Sequence, residues 1–203
     1  MKPHPYADAP RLPEADTIDP RSLLSASGLA ELEIEVGPGR GGFMFERLTA
    51  RPDIGMIGLE IRLKWASIVD ERLRKRGYGE RARVFAADAR LALPRFTPGS
   101  IGIIHVHFPD PWWKKRHQKR LVVGDRLIDA AAQALRQGGE LFLQTDVAER
   151  AEAYQALVEP DSRFEAYAAK VRVDETPFFA RSPRERRALA DGLPIFRLHW
   201  RRL

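Results

Sequence analysis

Short apolar runs alternating with helix-length amphipathic stretches limit this chain to few architectures. The runs are Glu31–Val36, Asp53–Leu59, Arg83–Ala87, Ile101–His107 and Glu140–Gln144. Between and after them, helical spacing appears over Phe43–Arg51, Ile61–Arg76, Leu121–Arg136 and Val147–Val158. Gly77 and the Gly138-Gly139 pair stop two of those helices. Two further strands are expected near Phe164–Tyr167 and Ile195–Trp200. Strand and helix in alternation predict an α/β fold, a mostly parallel seven-stranded sheet with helices on both faces. Residues 1–27 hold five of the fifteen prolines and little periodicity, so they read as an irregular N-terminal arm. The rest, 28–203, is long enough for one well-cored domain and too short for two of ordinary size.

Composition narrows the function classes. Cysteine is absent, which excludes disulfides and thiolate metal sites. No apolar run approaches the ~20 residues of a membrane helix, and the proline-rich start lacks the apolar core of a signal peptide. The expected location is the cytoplasm, with no membrane partner. The net charge is +6, and the Lys and Arg concentrate at 114–120, 181–187 and 197–202, a pattern suited to a polyanion.

In open α/β sheets, ligands sit beyond the carboxyl ends of the strands. Acids fall at each of those ends: Glu35 ahead of Gly37 and Gly39, then Glu60, Asp88, Asp110 and Asp146. Five acids on one rim repel one another unless a ligand or a set of hydrogen-bond donors uses them. An acid closing the second strand is where dinucleotide folds hold a ribose diol. Gly37-Pro38-Gly39-Arg40-Gly41-Gly42 matches the G-x-G-x-x-G pattern, so a nicotinamide dehydrogenase is one reading. Carboxylates around a pyrophosphate are poorly placed, however, and suit a cation better, such as the sulfonium of S-adenosylmethionine. His105 and His107 share a strand face, but no further ligand stands at metal spacing. Two packed histidines, and no metal, are the expectation.

Beyond the fourth run comes Phe108-Pro109-Asp110-Pro111-Trp112-Trp113-Lys114-Lys115-Arg116-His117-Gln118-Lys119-Arg120. Prolines on both sides of Asp110 forbid a continuing central strand. A carboxylate, two indoles and five cations then crowd one strand exit, as a site gripping a base and its phosphates requires. The bland alternative is a basic surface loop over two packed tryptophans.

Together these residues resemble the bacterial tRNA (guanine-N7-)-methyltransferases, over about Leu32 to Phe179. The resemblance rests on the 108–120 segment, Glu35-Val36-Gly37-Pro38-Gly39, Gly58-Leu59-Glu60-Ile61, Asp88-Ala89 and the Gly138–Asp146 stretch. It implies a Rossmann-like class I S-adenosylmethionine-dependent methyltransferase, with S-adenosylhomocysteine as product and tRNA as partner. By resemblance, Glu35, Gly37, Gly39, Glu60, Ile61, Asp88, Ala89 and Asp110 would bind the cofactor, and Asp110 would be catalytic. Lys114, Asp146, Thr176, Phe178 and Phe179 would contact the RNA, with Trp112 as a stacking surface and Arg116 on phosphate. Two departures stand out. The Thr-x-Phe-Glu motif reads Thr176-Pro177-Phe178-Phe179, without its acid, and the double arginine ending the basic motif is Arg120-Leu121. The missing acid's part would fall to Asp146 or Asp110, or to Glu185 swinging in. A methyltransferase acting on another RNA or nucleotide, and a basic RNA-binding module without catalysis, are the competing readings. A monomer and a homodimer are equally compatible.

Overall fold

Leu32, Ile34 and Val36 alternate with Glu33 and Glu35 along β1 (Glu31–Val36), and all five are buried. Side chains on a strand alternate faces, so this strand is covered on both sides, the apolar set on one and the glutamates on the other. The computed structural model describes residues 5–109 and 121–203. The other strands are β2 (Ile54–Glu60), β3 (Ala82–Ala86), β4 (Ile101–His107), β5 (Leu135–Thr145), β6 (Phe164–Ala166), β7 (Arg172–Val173) and β8 (Phe196–Arg202). Their order is β3-β2-β1-β4-β5-β8-β6, with β7 also on β8. Strands β1 to β5 run parallel, and β8 is antiparallel to β5. β6 and β7 pair with successive parts of β8, so eight strands fill seven positions, as the sequence pattern predicts.

Each face carries its own core. Phe43, Met44 and Leu48 of α1 (Gly42–Ala50), with Ala66, Val69 and Leu73 of α2 (Leu63–Lys75), pack on Met56, Val84, Ile103 and Phe142. On the other face α3 (Ala89–Ala92), α4 (Asp125–Ala134) and α5 (Ala148–Val158) cover Leu32, Ile34, Ile57, Ile104 and Leu141. The last helix, α6 (Pro183–Ala190), starts with Pro183 at its first position, and Ser182 Oγ accepts from Glu185 N at 3.1 Å.

Several elements differ from the pattern-based expectation. α4 stops at Ala134, and Leu135 to Gly139, expected as helix end and stop, begin β5. Ile101 pairs with Leu135 while Ile103 pairs with Glu140, a bulge that absorbs the glycines. The run of Ala and Leu carries a helical signal across that point, yet buried Leu135 is extended because it joins the sheet. α3 is too short to show periodicity, and α6 buries only Glu185 and Ala188, leaving no apolar stripe to read. The N-terminal arm, expected to be irregular, carries a 3-10 helix over Pro20–Leu23 and is docked: Ile18 bridges to Phe96, and Ala86 N donates to Pro10 O at 2.7 Å.

Candidate active site

Strand order reverses between β1 and β4, and a cleft of about 860 Å³ opens beyond the strand ends there. That volume lies in the ~300–1,000 Å³ range of small-molecule sites. The turn after β1 forms its base. Gly37 and Gly39 adopt φ of 69° and 55°, in the left-handed region that glycine enters without penalty. Gly39 N donates to Glu60 Oε2 at 3.0 Å, so the acid closing β2 already holds the turn after β1. Glu60 is buried, and its Oε1 accepts from Arg62 N and Arg62 Nε, both at 3.0 Å. Ile61 beside it is 66% exposed and lines the cleft, an apolar surface suited to a flat ring.

Asp88 caps α3, accepting from Arg90 N at 3.0 Å. The Arg90 guanidinium also grips both Asp88 oxygens, which holds this carboxyl below the usual range. Asp146, after β5, forms an ion pair with Arg184 from α6. Glu35 differs from these three. Its Oε1 lies 3.1 Å from His107 Nδ1, and its buried Oε2 has no hydrogen-bond partner among the described residues. Among the described residues, the expected mutual repulsion of the rim acids is therefore relieved at three positions by arginines, and at Glu35 by a histidine.

Glu35, Gly37, Gly39, Glu60, Ile61, Asp88, Ala89 and Asp146 all line the cleft. Asp110, Trp112, Lys114 and Arg116 lie outside the described residues. Pro109 and Val122, on either side of that segment, both line the cleft. Thr176, Phe178 and Phe179 do not. Phe178 is a core residue at 3% exposure, its ring 5.0 Å from Phe142 and 4.5 Å from His105. Phe179 is turned out and 88% exposed. Glu185 cannot swing in, because it is 1% exposed and accepts from Arg197 Nη2 at 2.8 Å.

The pattern-based reading missed Arg62, Arg90, Arg184, Phe43 and His107, which also line the cleft. A signal existed for the histidine. Glu33 and Glu35 on β1 alternate in step with His105 and His107 on neighbouring β4, and each histidine reaches diagonally across the parallel ladder, His105 to Glu33 and His107 to Glu35.

The arrangement offers a glycine turn, an apolar edge, acids able to accept from hydroxyls and one carboxylate that no described arginine pairs. It suits a ribose-bearing ligand with a positive group. The family model described as "Putative methyltransferase" matches residues 30–198. The tRNA (guanine-N(7)-)-methyltransferase of Myxococcus xanthus is 36% identical over 82% of this chain and 81% of its own. That of Anaeromyxobacter dehalogenans is 42% identical over 82% and 83%. Among solved structures, the antibiotic-resistance methyltransferase Kmr superposes with a TM-score of 0.58 at 23% identity, over 95% of this chain and 97% of its own. This last likeness establishes the fold, a Rossmann-like methyltransferase sheet. The extent and level of the sequence matches place the chain in the tRNA (guanine-N7-)-methyltransferase family.

Proposed function

We propose that this protein transfers the methyl group of S-adenosylmethionine to N7 of a guanine in tRNA, as a single domain over residues 28–203 acting in the cytoplasm. Among the described residues, no helix is long and apolar enough to cross a membrane. The observation that carries the reading is the Glu35 carboxylate, buried in the cleft wall with no hydrogen-bond partner for Oε2 among the described residues. A buried ionised oxygen without a partner is costly, and a cationic ligand group beside it removes that cost. Glu60 would hold the ribose hydroxyls, since an ionised carboxylate has about four acceptor sites and three bonds are in place. Asp88 and Ala89 would meet the base at the α3 end, with Ile61 against its face.

The bound donor supplies an electrophilic methyl on a sulfonium. Guanine N7 carries an in-plane lone pair and no proton, so the chain needs no base to deprotonate it. What the residues must do is align the guanine with the methyl and stabilise the positive charge that develops on the ring. Asp110 is assigned that negative charge, delivered from the end of β4. Asp146 would accept from the guanine edge once its Arg184 partner moves aside, covering the donors left by the missing motif acid. Trp112 supplies a stacking surface for a base turned out of the tRNA, and Lys114 and Arg116 hold phosphates.

Unfractionated tRNA incubated with labelled S-adenosylmethionine should yield labelled 7-methylguanosine by mass spectrometry. Calorimetry should show that Glu60→Ala weakens the cofactor by ~1–3 kcal/mol, from lost charge-assisted hydrogen bonds. Labelled product at another base or atom rejects the guanine assignment, and NADH binding without any response to S-adenosylmethionine rejects the methyltransferase.

A further inference from the structure

His107 ends β4 in the cleft wall, its side chain only 4% exposed. Its ring is boxed in: Phe43 lies 4.1 Å away between centroids, His105 at 5.6 Å in a stacked arrangement, and Phe142 at 5.9 Å. With the ring fixed, Nδ1 stands 3.1 Å from Glu35 Oε1. An ionised carboxylate only accepts, so this contact requires the proton on Nδ1. Without such a tie, the Glu35 carboxylate is free to turn about its last torsion, which is broad and nearly unhindered. With the tie, one oxygen is used and the plane is set, and Oε2 is the atom left over.

We infer that His107 is the positioning residue for the cofactor's cationic portion. Through Nδ1–H it sets the Glu35 carboxylate so that Oε2, without a hydrogen-bond partner among the described residues, is the oxygen held for the ligand. This rests on the methyltransferase reading. The contrast with the other described rim acids supports it: Glu60, Asp88 and Asp146 take arginines, whose permanent charge offsets theirs. An imidazole that donates through Nδ1 orients a carboxylate without the permanent charge of a guanidinium. The neighbouring Glu33–His105 pair shows the opposite arrangement, because Arg47 joins it at 2.6 Å and neutralises the acid. Two similar Glu–His pairs on the same two strands are thus divided, one bound by Arg47 and one with a carboxylate oxygen left over in the cleft wall.

The test uses two polar replacements that place an amide nitrogen differently. In His107→Asn the amide nitrogen falls near the position of Nδ1, and in His107→Gln near that of Nε2. Calorimetry with S-adenosylhomocysteine and S-adenosylmethionine should find Asn within about threefold of wild type and Gln weaker by about tenfold, the worth of one charged hydrogen bond. The KM for S-adenosylmethionine should rise in His107→Gln while that for tRNA stays level. Adding Glu35→Gln to His107→Gln should cost little more, since both changes remove one arrangement. In the wild-type protein, 15N shifts of the His107 imidazole should report a protonated Nδ1. Equal binding by the Asn and Gln variants, or an unprotonated Nδ1, overturns the inference while the methyltransferase reading stands. Wild-type protein that binds neither ligand overturns both.

Discussion

Phe179 holds two unfavourable features at once, a φ of 54° and a ring that is 88% exposed. A left-handed conformation at a non-glycine residue costs on the order of 1–2 kcal/mol, and an exposed ring recovers nothing through burial. Its neighbours impose the geometry. Arg47 Nη1 donates to Phe178 O at 2.8 Å, the Phe178 ring fills the core, and Arg181 N donates to Glu46 Oε2 at 3.0 Å. With both flanks anchored to α1, residue 179 has no other path. The replacement of the motif's acid was legible in the sequence, but the strain was not, because its anchors lie more than 130 positions away. Asn tolerates this region of the backbone, so Phe179→Asn should raise the free energy of unfolding by about 1 kcal/mol in urea titration. A loss of stability instead would mean that the ring packs in solution. Phe179→Glu restores the acid without relieving the backbone, and should leave tRNA methylation unchanged or modestly higher.

Between β1 and β4 the buried glutamates and histidines act as one element, tied to α1 through Arg47 Nη2 and Glu33 Oε1 at 2.6 Å. Breaking a buried pair by removing one partner costs ~3–5 kcal/mol, so this ladder locks α1 onto the sheet below the cleft. Burial of His105 pushes its pKa below 6.5, although its contact with Glu33 opposes that. Burial raises the Glu33 carboxyl, but hydrogen bonds and charge from His105 and Arg47 outweigh it and hold the group below 4.5. Both folded values are depressed, so both groups stabilise the fold above their unfolded pKa and lose that contribution as pH falls. The histidine loses it first, from 6.5 downward, and the glutamate only below 4.5. Urea midpoints should therefore fall between pH 7 and 5, and His105→Phe, though less stable throughout, should show a flatter slope there. An unchanged slope would assign the transition to another group. The alternation of acid and histidine was visible in the sequence. Which strand neighbours which was not, since β1 and β4 are 65 residues apart and meet only through the crossover order.

Across the molecule, the cations that cluster in sequence divide into two kinds. Those of 181–187 and 197–202 are largely engaged within the fold: Arg184 with Asp146, Arg186 with Glu46, Arg197 with Glu185 and Arg201 with Glu165. Composition pointed to three basic patches, but ion pairing depends on side-chain contacts that linear charge cannot reveal. The run from 110 to 120 carries five Lys or Arg against one Asp, a net +4 of the chain's +6. Pro109 and Val122 on either side of it line the cleft. Phosphate contacts release counterions, and each one lost lowers the salt slope of binding by about one. Lys114→Ala and Arg116→Ala should weaken tRNA binding across all sequences and reduce that slope, while S-adenosylmethionine affinity stays at the wild-type value. Asp110→Asn keeps the shape and removes the charge, so turnover should collapse while tRNA affinity and salt slope survive. Full turnover in Asp110→Asn would move the stabilising charge to another rim acid, with Asp146 the first candidate once Arg184 has moved away.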